Sequence, residues 1–220
     1  MFLTLKRCAD ICLALFSIIA SAPFVAVYAL FVFLMHRVSP FLIQERSLSA
    51  LHPVIRVYKL KTIKSIRSEK IDSSNILVRS DDSFEFLPLG RLLRSCGFDE
   101  LPQMINVLKG EMSIIGPRPL LSSEIEMGSS ILPRLMLERQ KLNSKPGITG
   151  YWQVFGNKTE GLINLLFHDL FYENNRSAKL DTKIFFMTLL RLASFAHQDS
   201  IIERKREESE ANAAESFLNN

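Results

Sequence analysis

From Ile11 to Met35 the chain runs for 25 residues without a formal charge. As one straight helix that run reaches about 38 Å, enough to cross a hydrocarbon core about 30 Å thick. It exceeds the apolar region of a signal peptide, and His36-Arg37 follow it where a small-residue cleavage site would stand. Pro23 sits at its midpoint. An interior proline removes one backbone hydrogen bond and clashes with the preceding turn. Each half is then about 18 Å long, too short to cross alone. Lys6-Arg7 precede the run, and Arg37, Arg46 and a basic cluster follow it. Positive charge on both flanks places both ends in the cytoplasm, which a hairpin turning back at Pro23 satisfies and a crossing helix does not. Length and charge alone leave both a proline-kinked span and a re-entrant hairpin open.

Around this anchor the composition is that of an ordinary domain, 47% apolar and 23% charged over 220 residues, which excludes global disorder and fibrous repeats. The net charge of +4 belongs to the first half: residues 1–110 carry 14 Lys/Arg against 9 Asp/Glu, residues 111–220 carry 13 against 14. Arg56, Lys59, Lys61, Lys64, Arg67 and Lys70 form a cluster that seeks phosphate or is simply a solvated face. Only Tyr58 interleaves an aromatic with it, so nucleic acid is not expected as a partner. Cys8, Cys12 and Cys96 are too few for a disulfide framework and fit a reducing compartment; no second Cys/His pair completes a metal site with Cys8 and Cys12.

The pattern predicts an α+β chain, mainly helical, in three parts: a membrane anchor over 1–40, a soluble-facing domain over 41–197, and a charged, disordered tail over 198–220. Alternation over 41–63 predicts a strand or hairpin, and the Ser-, Asp- and Asn-rich residues 68–83 a loop. Helices are expected over 90–95, from Asp99 to a cap at Gly110, from Pro133 to Leu142, over 161–174 and over 181–197. The last carries an apolar face suited either to a membrane interface or to packing on the domain.

The chemistry concentrates between residues 90 and 120. One acid at a helix start caps free N–H groups; two, Asp99 and Glu100, beside Arg91 and Arg94 also suit a divalent metal site with one acid as nucleophile. Gly116-Pro117-Arg118-Pro119 is stiff, so Arg118 is either a pre-organised phosphate ligand or a solvated turn residue. Lys145-Pro146-Gly147-Ile148-Thr149-Gly150 reads as paired turns before Tyr151-Trp152. Asp169 lies in an apolar helix and needs a partner, with Arg94, Arg118, a lysine or a metal as candidates. His52 and His168 read as structural.

Together, Lys6-Arg7-x-x-Asp10, the proline-centred apolar run, Tyr58-Lys59-x-Lys61-Thr62, Gly90-Arg91-x-x-Arg94, Asp99-Glu100-Leu101-Pro102-Gln103, Asn106 to Gly110, Met112 to Pro119, Lys145 to Gly150 and the Asp169–Tyr172 region resemble the bacterial sugar transferases, the small monotopic phosphoglycosyl transferases, over about residues 1–195. The resemblance implies a re-entrant helix hairpin and a cytosolic catalytic domain with interfacial amphipathic helices and a small β element, on the cytoplasmic face of a bacterial inner membrane. It implies transfer of sugar-1-phosphate from a UDP-sugar to polyprenyl phosphate with release of UMP. Asp99 would be the nucleophile, and Glu100 metal partner or proton acceptor, the two holding Mg²⁺. Lys59, Arg94, Arg118 and Asp169 would bind substrate and phosphate. A homodimer is compatible with it, and so is a non-catalytic membrane scaffold of the same fold. The chain departs from the pattern at Ala22 before Pro23, at Arg46-Ser47-Leu48, and at Tyr151-Trp152-Gln153-Val154-Phe155-Gly156, so the sugar is not transferred from the resemblance.

Overall fold

The structure, a computed structural model, describes residues 2–66, 84–157 and 160–194. The expected loop over 68–83, the basic residues Arg67 and Lys70, the end of the last helix at 195–197 and the tail over 198–220 lie outside the described residues.

The apolar run forms one helix, α1, over Phe2–His36, about 52 Å long at 1.5 Å per residue. The residues leave a proline-kinked span and a re-entrant hairpin open, and the resemblance implies the hairpin; the chain keeps helical backbone across Pro23. Proline deletes a single bond from the ladder, and contacts on both sides of it hold the flanking turns. Arg7, Asp10, Ala14, Tyr28 and Val32 project within a stripe about 60° wide, and that stripe faces the rest of the protein. Lys6 Nζ meets Asp181 Oδ2 at 2.7 Å, and Arg7 donates to the carbonyls of Val107 and Leu108 at 2.7 and 3.1 Å. Asp10 accepts from Ser113 Oγ and the Ile114 N–H. Further along, Tyr28 donates to the Lys61 carbonyl at 2.9 Å, and Phe24 meets Phe98 edge-on. The opposite face, including Phe16, Ile19, Val27 and Leu30, is exposed and apolar.

The predicted hairpin is present as β1 (Phe41–Arg46) and β2 (Ile55–Leu60), antiparallel with Phe41 opposite Leu60. Strand alternation puts Ile55, Val57 and Lys59 on one face and Leu60 on the other; Leu60 packs under Tyr28 and Val32 of α1. A second small antiparallel pair joins β3 (Ile63–Ile66) to β4 (Phe84–Phe86). Helix α2 covers Gly90–Ser95, as expected.

The helix expected from Asp99 to Gly110 divides. Phe98–Gln103 is a 3-10 helix, and α3 follows over Met104–Lys109, ending on Gly110 at φ 83°. Gly97 at φ 69° starts the tighter turn, and Pro102, which has no N–H, cannot enter an α-helical ladder there. Beyond it come β5 (Ser113–Ile115), α4 (Ser122–Ile131), α5 (Pro133–Arg139), β6 (Gly147–Thr149), α6 (Tyr151–Phe155), α7 (Gly161–Asn174) and α8 (Ala178–Ala193). Strands β5 and β6 are parallel, with α4 and α5 in the crossover. Ala14, Val57, Val107, Ile115, Tyr172 and Ile184 share one core; Leu135, Trp152, Leu165 and Leu166 share another under α4 to α7. On α8, Asp181 and Ile184 point inward while Phe186, Leu189 and Leu190 are exposed. His52 bridges Ser49 Oγ and the Leu142 carbonyl, and His168 meets the Asn164 carbonyl, both structural as expected.

Candidate active site

Two glycine-bearing segments interlock to form the floor. A side chain on Gly116 would lie 2.2 Å from the Lys145 carbonyl oxygen, and one on Gly150 2.1 Å from the Gly116 oxygen. Only glycine lets these backbones touch. The paired turns expected over 145–150 are therefore a strand, β6, laid beside the Gly116-Pro117-Arg118-Pro119 segment. The Gly147 N–H donates to the Pro117 carbonyl at 2.9 Å, and the Gly116 N–H to the Thr149 carbonyl at 3.0 Å.

Above this floor lies a narrow cleft walled by Arg46, Val57, Lys59, Glu100, Gln103, Arg118, Pro119, Gly147, Ile148 and Gln153. It encloses about 10 Å³, room for roughly one water, so a sugar nucleotide would have its bulk outside. Three of its walls are cationic (Arg46, Lys59 and Arg118) and one is anionic. Lys59 Nζ sits 2.5 Å from Glu100 Oε1, with both side chains largely buried. In so shielded a place a positive surplus favours an anion.

Asp99 precedes Glu100 on the 3-10 helix, so the two side chains diverge by about 120°. Glu100 faces the cleft; Asp99, 8% exposed, lies within electrostatic reach of the Tyr28 phenol of α1. The nucleophile candidate thus sits between cleft and anchor, beside the exposed Phe98. Among the described residues no third His, Cys, Asp or Glu joins this pair in a cation-binding group. One carboxylate is enough for a Mg²⁺ ion whose shell is completed by water and substrate phosphates, so either acid alone has the chemistry to hold it.

The remaining expected residues stand further back. Arg94 is half-buried on α2 and does not line the cleft. Asp169 is fully buried and does not line it either. Its partner is one the sequence reading missed: Arg139, also fully buried, with NH1 2.7 Å from Asp169 Oδ2. Burial pushes the Asp169 carboxyl up from its ordinary pKa while Arg139 pulls it down, and burial is the larger effect. Arg118 itself is nearly buried, 3.7 Å from Glu124 and over the Trp152 ring. Arg46, Gln103 and Gln153 also escaped the sequence reading as site residues. Arg46 had a faint signal, its place in the Arg46-Ser47-Leu48 motif. Arg139 had none, since it stands among charged residues that read as a solvated helix end.

A long apolar N-terminal helix is docked on a small α+β domain whose cation-rich cleft takes in Glu100, with Asp99 next to it in the chain. The sequence pattern of the bacterial sugar transferases matches residues 1–194, and the chain belongs to that family. It is 32% identical over 192 residues to the UDP-glucose:undecaprenyl-phosphate glucose-1-phosphate transferase of Escherichia coli K12, covering 85% of this chain and 40% of that one. Exopolysaccharide production protein ExoY of Sinorhizobium fredii is 38% identical over 101 residues, 46% of this chain and 42% of its own. The uncharacterized sugar transferase EpsL of Bacillus subtilis is 34% identical over 136 residues, 62% and 61% of the two chains. The matches thus take in between 40% and 61% of these relatives' lengths.

Proposed function

We propose that the protein transfers a sugar-1-phosphate from a UDP-sugar to polyprenyl phosphate, undecaprenyl phosphate in the first instance, releasing UMP and starting a bacterial surface glycan. The observation that carries the reading is the gathering of Arg46, Lys59 and Arg118 around Glu100, one residue from Asp99. In the first step an Asp99 carboxylate oxygen attacks the sugar-bearing phosphorus, the bond to the UMP oxygen breaks, and UMP leaves. In the second, a phosphate oxygen of the lipid attacks the same phosphorus and displaces Asp99, giving polyprenyl diphosphosugar and the free carboxylate. Lys59, Arg94 and Arg118 offset the charge of the phosphates in both steps. Glu100 serves as metal partner or proton acceptor. Mg²⁺ would be held by Asp99 and Glu100 and would supply charge neutralisation at the diphosphate.

The anchor suits a lipid acceptor. A helix crossing about 30 Å of hydrocarbon carries its far half away from a domain on one side. Here residues 6–14 and 24–32 both contact the same domain. That supports a monotopic anchor lying against the domain on both sides of Pro23, with both ends at the cytoplasmic face of the inner membrane and the exposed apolar side of α8 at the interface. Cysteines placed near positions 2 and 40 are expected to label from the cytoplasmic side; labelling of position 2 from the opposite side would establish a span instead.

The reaction is tested by UMP release from a panel of UDP-sugars with Mg²⁺ and polyprenyl phosphate, for wild type and Asp99→Asn. Sugar-dependent release that the variant loses is the expected result. Folded protein releasing no UMP from any donor would point to a scaffold of the same fold.

A further inference from the structure

The segment from Gly116 to Leu120 is held on both sides, yet its two prolines leave it unable to join a sheet as a regular strand. Side chains replace the missing ladder. The Arg118 N–H donates to Asp169 Oδ2 at 3.1 Å, and Arg139 NH2 donates to the Arg118 carbonyl at 2.5 Å. Arg139 NH1 closes the ring on Asp169 Oδ2 at 2.7 Å, and its Nε ties the ring to the Leu48 carbonyl at 2.7 Å. One buried ion pair therefore grips the Arg118 peptide at its donor and its acceptor. Arg46 holds the next residue by its acceptor alone, donating to the Pro119 carbonyl at 3.0 Å.

We infer that Arg139 and Asp169 form a positioning pair whose task is to set the Arg118 side chain in the cleft, and that neither touches substrate. Both are fully buried and neither lines the cleft, whereas Arg118 does. The geometry is that of a clamp anchored at Leu48: apart from that tie, its bonds go to the backbone N–H and C=O of the one residue whose side chain must be aimed. The inference rests on the proposed reaction for one of its two readouts and stands apart from it for the other.

The test is a double-mutant cycle on the full chain in detergent or nanodiscs. Asp169→Asn and Arg139→Lys are each made alone and on an Arg118→Ala background, with melting temperature, UMP release and pyrophosphate binding by calorimetry measured for all. In the Arg118 background each substitution is expected to lower kcat/KM on the order of a hundredfold, as displacement of a positioning group by about 1 Å does, and to weaken pyrophosphate binding. On the Arg118→Ala background neither should lower activity or binding further, although both still lower the melting temperature. Losses that multiply on that background, or that merely follow the folded fraction, would overturn the inference. A wild type that binds pyrophosphate through Arg118 but releases no UMP would sink the reaction and leave the pair to be judged by the binding cycle. Pyrophosphate binding and UMP release that are both indifferent to Arg118 would sink the pair, since nothing then remains for it to aim.

Discussion

Lys59–Glu100 and Arg139–Asp169 are ion pairs of nearly equal length, 2.5 and 2.7 Å, on either side of the Arg118 segment. Their surroundings differ. The first has side chains 12% and 6% exposed in the wall of a cleft; the second has 0% and 0%. A pair with access to solvent can exchange partners when a phosphate or a cation arrives, because the incoming charge replaces what is broken. A sealed pair has no such replacement, and its worth lies in the position it enforces. Similar chemistry is thus assigned to binding at one place and to rigidity at the other by burial alone.

The contrast breaks most readily at Arg139. Arg139→Met leaves Asp169 buried and uncompensated, and should cost about 3–5 kcal/mol, a fall in melting temperature of roughly 6–20 °C. A shift of less than a few degrees would erase the distinction between the two pairs. Removing both charges, as Asp169→Leu with Arg139→Met, should recover about 1–3 kcal/mol relative to the single variant without restoring UMP release. Lys59→Met tests the other side. It should cost only about 1–2 kcal/mol of stability while lowering UMP release by roughly 10²–10³-fold. A large melting shift there would make the cleft pair structural as well.

The smallest effect belongs to Tyr172, which donates to Asp181 Oδ1 at 2.8 Å. Burial, with the Asp181 carboxylate beside it, raises its pKa well above the ordinary 10.0. A phenol protonated longer in the folded state than in the unfolded one contributes in full below pH 10, and its contribution is lost as pH rises past that value. Stability should therefore fall above pH 10 by up to about 1.4 kcal/mol per pH unit from this group. Tyr172→Phe should cost about 1 kcal/mol near neutrality and flatten that slope, which denaturant titrations across alkaline pH will show.

What could be read from sequence follows the same division. Periodic segments announced themselves: the β1–β2 hairpin, α2, and α7 over Gly161–Asn174 match their expected ranges. Lys59, Glu100 and Arg118 were legible through motif and do share a cleft. Arg139 was not, because nothing local separates a buried arginine from a solvated one; its role exists only once Leu48, Arg118 and Asp169 converge on it from three distant parts of the chain. The strand β6 hid behind Pro146 and two glycines, residues that ordinarily mark turns, and only the closeness of the Gly116 backbone explains them. At Pro23 the sequence left a kinked helix and a broken one open, and the chain keeps helical backbone through it.

The bond from Lys6 to Asp181 joins residues 175 positions apart in the chain. At about 5–20 residues per second, roughly ten to thirty-five seconds of synthesis separate the two partners. Helix α1 is therefore made while most of the domain is still to come, and Lys6, Arg7 and Asp10 wait for groups that emerge later. The fold can close around α1 only late, once α8 and its Asp181 have been added.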